Sequence, residues 1–186
     1  MAFLNQEQLN SIGFKSIGKN VSISDKASIY NPKNISIGNN VRIDDFCILS
    51  AGQGGISLGD YIHIACYCAI IGKGRIVLKN FSGLSARVSI YSSNDDYSGE
   101  FMTNPCVPSE YTNVTSGDVT IEQHVIIGSG TIVLPNVTVG YGAAIGAMSL
   151  VTKNCEEKTI YMGNPLRKLK RRKLGFEELE KKLLNE

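Results

Sequence analysis

The sequence predicts an all-β protein: a parallel β-helix of about six coils, with a short helix at each end and one long loop at residues 96–118. Three observations predict it. Aliphatic residues recur at every sixth position. A small or β-branched residue follows four positions after most of them. After each third repeat, over the first four groups, the step lengthens by two or three residues.

The repeat is clearest in the second half. Ile121, Ile127, Val133, Val139, Ile145 and Val151 are six apart and all aliphatic. The slot four residues on holds Val125, Thr131, Val137, Ala143, Ser149 and Cys155. Upstream the groups are Ile17, Ile23, Ile29; Ile37, Ile43, Leu49; Leu58, Ile64, Ile70; and Leu78, Leu84, Ile90. The small-residue slot fails at Lys33, Gln53, Gly74 and Asn94, each in the third repeat of its group. A period of six fits neither a helix nor a simple alternating strand. It fits a coil of three short sides, each with an aliphatic residue turned inward and a small residue at the corner. Coils stacked by parallel strand pairing rise about 4.8 Å each, so six of them give a prism roughly 29 Å tall.

A solenoid needs its ends covered. Residues 1–16 read as an N-terminal cap helix: Asn5 and Gln8 have capping-box spacing, Leu4 and Leu9 form a staple, and Gly13 ends the helix. The β-helix is expected over 17–156, and a basic segment with a C-terminal helix over 157–186, where Phe176, Leu179 and Leu183 share one face. All of this reads as a single domain. The loop, DYSGEFMTNPCVPSEYTNVTSGD, breaks the repeat. Its Tyr97, Phe101, Met102 and Tyr111 suggest a packed loop, and long loops on rigid scaffolds tend to carry function. A subunit-packing arm is the alternative.

Composition narrows the function. The 186 residues carry 19 Lys and Arg against 17 Asp and Glu, a net charge of +2. That balance does not argue for nucleic-acid or membrane binding. No stretch is long and apolar enough to span a bilayer, and the first ten residues do not read as a signal peptide. Five cysteines without paired or metal-ligand spacing suit a reduced, cytoplasmic protein. Two histidines are too few for a three-histidine zinc site of the kind found on some parallel solenoids, so no metal is expected. Scattered threonines argue against an ice-binding face, and the chain is short for a nucleotidyltransferase with an added nucleotide-binding domain.

The hexapeptide periodicity, with GAMSLVTKN at Gly146–Asn154 and GNPLRKLK at Gly163–Lys170, resembles the hexapeptide-repeat acyltransferases over nearly the whole chain. Within them it is most similar to the small sugar and xenobiotic acetyltransferases. The resemblance implies a left-handed helix, a homotrimer with sites between neighbouring prisms, and acetyl-CoA or another acyl-CoA as co-substrate. It implies that Gly146, Ser149, Thr152, Lys153, Arg167 and Lys170 bind the coenzyme. The charge agrees, because coenzyme phosphates need cations and donors. Lys153, Arg167, Lys168, Lys170, Arg171, Arg172 and Lys173 lie close together in sequence.

One departure matters. Where O-acetyltransferases of the family carry a histidine base, counting coils places Asp95. A carboxylate is a weak base for an alcohol. An amine needs no such activation, only orientation and somewhere to leave a proton. Asp95 therefore points to acylation of an amino group on a nucleotide-linked deoxy sugar, as in sugar-nucleotide N-acyltransferases of this fold that lack the histidine. A role in surface polysaccharide synthesis would follow. Asn94, Asp96 and Glu100 are the expected acceptor contacts, and His63 is the second catalytic candidate. His124 reads as structural or coenzyme-adjacent. Sugar O-acetylation, with His63 as base, is the alternative function.

Overall fold

A computed structural model describes residues 2–185. The chain winds as a left-handed β-helix with three parallel faces. The first face stacks Ser16–Ile17, Ile35–Ile37, Ile56–Leu58, Ile76–Leu78, Val119–Ile121 and Val137–Val139. The second stacks Ser22–Ile23, Arg42–Ile43, His63–Ile64, Gly83–Leu84, Ile126–Ile127 and Ala144–Ile145. The third stacks Ser28–Tyr30, Ile48–Ala51, Ala69–Gly72, Ser89–Tyr91, Ile132–Val133 and Leu150–Val151.

Six coils are complete, and a seventh begins. Cys155 bridges to Val139, and Thr159–Met162 pairs in parallel with Ala144–Ile145. The sheet thus runs past residue 156, where the repeat pattern stops. The chain then reverses, and Arg167–Arg171 pairs antiparallel to Thr159–Met162, covering that edge. A paired edge no longer offers open backbone groups to other strands.

The period-six aliphatic residues meet in register along the axis. On the second face Ile23, Ile43, Ile64, Leu84, Ile127 and Ile145 form one continuous column. All but Ile145, at 3% exposure, are within 1% of full burial. The small slots sit beside them: Val41, Cys47, Cys68, Val88, Val125, Thr131, Val137 and Ala143 are all buried.

The corners need backbone that most residues resist. From the first face to the second, the turn residues are Asn20, Asn40, Tyr61, Phe81, His124, Gly142 and Lys158, with φ between 52° and 61°. Bulky residues pay a strain cost in this left-handed region. Stacking offsets it here: Tyr61 lies 4.7 Å from Phe81, Phe81 lies 5.0 Å from His124, and Phe176 covers His124 at 4.5 Å.

The caps follow the expected chemistry at the N-terminus. The helix Gln6–Ile12 carries a full capping box between Asn5 and Gln8 and ends at Gly13 in the left-handed conformation. The C-terminal helix, Gly175–Leu184, lies against the corner ladder through Phe176. Leu179 and Leu183 on it stay exposed. Among the described residues no helix is long and apolar enough to cross a membrane.

Ile64 is fully buried at the middle of its column. Ile64→Ala should cost about 2–5 kcal/mol in chemical denaturation. The same change at Ile48, 37% exposed on the outer surface, should cost less than about 1 kcal/mol. Equal losses at both sites would contradict the inward assignment.

Candidate active site

The third face ends at the corner where the long loop departs. Ser93–Asn94 pairs antiparallel with Thr115–Ser116, which ties the base of the loop. Asp95 follows directly. It borders a groove of about 440 Å³ lined by Tyr91, Ser93, Asn94, Asp95, Tyr97, Ile132, Leu134 and Leu150. The floor is apolar because Ile132 and Leu150 face outward, in register with Ser89, while their neighbours Val133 and Val151 face in. Sequence reasoning missed this floor, although aliphatic residues at outward positions were its signal.

Asp95 is exposed and hydrogen-bonds to no described residue. Asp96 differs. Its Oδ2 accepts from the Ser98 amide at 3.0 Å, the Ser98 hydroxyl at 2.8 Å and the Gly99 amide at 3.1 Å. The Ser98 hydroxyl, with the turn's amides behind it, holds this carboxyl below the usual carboxylate range. Asp96 closes a loop turn through this one carboxylate oxygen. Glu100 is exposed beyond that turn and does not line the groove.

The loop is not packed against its own coils. Tyr97 is 90% exposed, and Phe101, Met102, Tyr111 and Val114 are exposed as well. Within one chain, the packing expected of these side chains is not made. Beyond the tied base, internal turns and the Met102–Thr112 bridge order the backbone while the large side chains stay open to solvent.

The expected coenzyme residues divide in two. Ser149 is buried, donates to the Gly146 carbonyl at 2.6 Å and accepts from the Gly163 amide at 2.9 Å. Gly146 is also spent: its amide bonds to the Tyr161 carbonyl at 2.7 Å, and its carbonyl accepts from Ser149 and Thr131. Both residues hold the corner. Thr152, Lys153, Arg167 and Lys170 are exposed. Lys153, Arg167 and Lys170 have no carboxylate partner among the described residues. Lys168 pairs with Glu156 at 2.5 Å. Arg172 donates to the carbonyls of His124, Gly142 and Ala143 and belongs to the fold.

The histidines also divide. His124 is 8% exposed, stacked in the corner ladder, with Nε2 2.7 Å from Glu180. His63 lies on the second face, away from the Asp95 groove, and its side chain is half exposed. Its Nε2 donates to Asp44 Oδ2 at 2.8 Å, while Arg42 Nε donates to Asp44 Oδ1 at 2.7 Å. A carboxylate can only accept, so a neutral His63 keeps its lone pair on Nδ1. Burial works against the Asp44 charge, but the hydrogen bonds from Arg42 and His63 outweigh it and hold the carboxyl below its ordinary value. Among the described residues no group of three His, Cys, Asp or Glu side chains is placed to hold a metal.

No family model matches the chain. Individual relatives do. It is 58% identical over 97% of its length to a dTDP-4-amino-4,6-dideoxy-D-glucose acyltransferase from Escherichia coli, 94% of which is covered. It superposes with a TM-score of 0.94 on AntD, an N-acyltransferase from Bacillus cereus solved with dTDP and 3-hydroxybutyryl-CoA; identity is 49%, over 98% of this chain and 96% of that one. Galactoside acetyltransferase bound to coenzyme A, at 19% identity and a TM-score of 0.58, shares the fold. The chain belongs to the hexapeptide-repeat acyltransferases. Within them it is an acyl-CoA-dependent enzyme of the branch that acylates an amino group on a nucleotide-linked sugar.

A carboxyl whose folded pKa is depressed stabilises the fold above its unfolded pKa, here an ordinary 3.8, and loses that contribution as pH falls through the lower folded value. Asp44→Asn should therefore destabilise most near neutral pH, with the difference from wild type shrinking as pH falls below the ordinary carboxylate range. A difference independent of pH would show that the Asp44 charge contributes nothing.

Proposed function

We propose that the chain transfers an acyl group from acyl-CoA to the 4-amino group of a dTDP-linked 4-amino-4,6-dideoxyhexose, with Asp95 orienting the amine. The observation that carries this is Asp95 itself: an uncommitted carboxylate at the edge of a groove with an apolar floor. The neighbouring acid is spent on a turn. The E. coli relative's name, and an AntD complex holding dTDP-4-amino-4,6-dideoxyglucose with coenzyme A, support the acceptor.

The chemistry follows from the groups present. The neutral amine attacks the thioester carbonyl carbon, a C–N bond forms, and the C–S bond breaks to release the coenzyme thiolate. Asp95 accepts a hydrogen bond from the amine, aims its lone pair, and takes the proton that the nitrogen sheds. That proton leaves to the thiolate or to water. Asn94 and the two tyrosines that line the groove, Tyr91 and Tyr97, contact the sugar in this reading. Ile132, Leu134 and Leu150 suit the acyl group and the pantetheine arm. Thr152, Lys153, Arg167 and Lys170 take the coenzyme phosphates.

The assembly is a homotrimer, in which the exposed aromatic arm of one protomer covers its neighbour. The fold's habit and the open apolar side chains of the loop support this. The enzyme works in the cytoplasm, where acyl-CoA and nucleotide sugars are made, and its product feeds surface polysaccharide synthesis.

The test is a side-by-side assay with 3- and 4-amino-6-deoxyhexose nucleotides and their hydroxyl counterparts. The 4-amino sugar should turn over and the hydroxyl sugars should not. Asp95→Asn should cut turnover by about 100-fold or more, the scale of a lost general base, with acyl-CoA binding intact. His63→Ala should do less. Turnover of hydroxyl sugars alone would move the base to His63 and the reading to O-acetylation.

A further inference from the structure

The strand Arg167–Arg171 carries Arg167 and Lys170, two of the cations assigned above to the coenzyme phosphates. Little within the strand fixes it. All five of its residues are exposed. It is the last strand of its sheet, and its antiparallel pairing with Thr159–Met162 shifts register between Ile160 and Tyr161. Of the seven residues from Arg167 to Lys173, every one except Leu169 is a cation. Like charges at this density repel one another, and Glu156 relieves Lys168, at 2.5 Å. A strand with no buried side chain needs its place set from outside.

The anchor follows directly in sequence. The Arg172 amide donates to the Lys158 carbonyl at 2.8 Å. Its guanidinium donates to the carbonyls of His124, Gly142 and Ala143 at 2.8, 3.1 and 3.2 Å. Phe176 lies over that guanidinium at 4.9 Å and against the His124 ring at 4.5 Å. The corner leaves room for it. The stack of Tyr61, Phe81 and His124 reaches Gly142 at its next turn, and a Cβ there would sit 2.8 Å from Phe176 Cζ. Phe176 thus takes the place where a corner side chain would continue the stack. On the same helix, Glu180 Oε1 accepts from Gln123 Nε2 at 2.6 Å, Glu180 Oε2 lies 2.7 Å from His124 Nε2, and Glu177 meets Lys158 at 3.4 Å. None of the ten residues of Gly175–Leu184 is buried. A helix that short is marginal in water by itself, so these few contacts decide whether it stays docked.

We propose that the C-terminal helix is a latch for the coenzyme strand. Docking of Phe176 and Glu180 on the His124 corner fixes Arg172, and Arg172 holds the end of the strand that presents Arg167 and Lys170 to the coenzyme phosphates. Phe176 and Glu180 are positioning residues that act through Arg172 and touch no substrate. The inference rests on the coenzyme assignment of Arg167 and Lys170 proposed above. Coupling of this kind is reciprocal: a docked helix tightens coenzyme binding, and bound coenzyme keeps the helix docked.

The test uses the full chain in two measurements. Coenzyme A is titrated by calorimetry into wild type, Phe176→Ala, Glu180→Ala, Glu180→Gln, Arg167→Ala and the double variant Arg167→Ala with Glu180→Ala. Trypsin cleavage after Lys181 and Lys182, in the helix itself, reports undocking, because a protease cuts the open form. Thermal melting checks that the β-helix persists. Phe176→Ala and Glu180→Ala should speed cleavage and weaken coenzyme A by about fivefold or more, the lower end of a coupling between sites. Glu180→Gln keeps an oxygen for Gln123 and an amide for His124, and should restore most of both. Coenzyme A should slow cleavage of wild type. Glu180→Ala should weaken coenzyme A less in the Arg167→Ala background than alone, because the cation it positions is gone. A purely structural helix would give equal losses in both backgrounds, and that result would overturn the latch. Faster cleavage with wild-type coenzyme affinity would also overturn it, while a loss in Arg167→Ala would leave the coenzyme assignment standing. Wild-type affinity in Arg167→Ala would sink that assignment and the latch with it.

Discussion

Every part of the structure depends on backbone pairing from one coil to the next. Gly18, Gly38 and Gly59 donate to Ile37, Leu58 and Leu78 at 2.8–2.9 Å, and the same ladder recurs around each face. Parallel strands in register force like positions to stack. An aliphatic residue every sixth position then becomes a column of buried side chains, with no need for a large core. The left-handed turn residues are the cost of closing each corner, and the stack of Tyr61, Phe81 and His124 spreads that strain over a packed ladder.

The same stacking sets the outer surface. Outward residues also line up, so a polar or apolar surface is set by whole columns. Ile132 and Leu150 make an apolar floor because they share a column, and the Asp95 loop opens beside it. Arg42 and His63 are direct register partners, so a single buried carboxylate, Asp44, receives both. This arrangement orients His63 and satisfies Asp44. It also places the histidine on a different face of the same chain from Asp95.

The coils were legible because period six is a property of sequence alone. The position of Asp95 at the base of the loop was legible because a coil count locates it. What was not legible is the set of contacts that each group makes. Ser149 occupies the small-residue slot, and that slot is an inner corner, so its burial follows from the repeat. Asp96 and Asp95 are adjacent and alike in sequence. Only the fold shows that Ser98 and Gly99 take one and leave the other free. The loop's aromatic residues suggested packing, but sequence cannot say whether the partner is the same chain.

The central claim is that a carboxylate, and no histidine, meets the acceptor nitrogen. The most direct measurement is a structure of the wild-type enzyme with coenzyme A and an amino-sugar nucleotide bound together. The account predicts the sugar nitrogen within hydrogen-bond distance of an Asp95 oxygen, about 2.6–3.2 Å, over the floor formed by Ile132 and Leu150. A sugar nitrogen placed against His63 Nδ1, with Asp95 facing solvent, would contradict it.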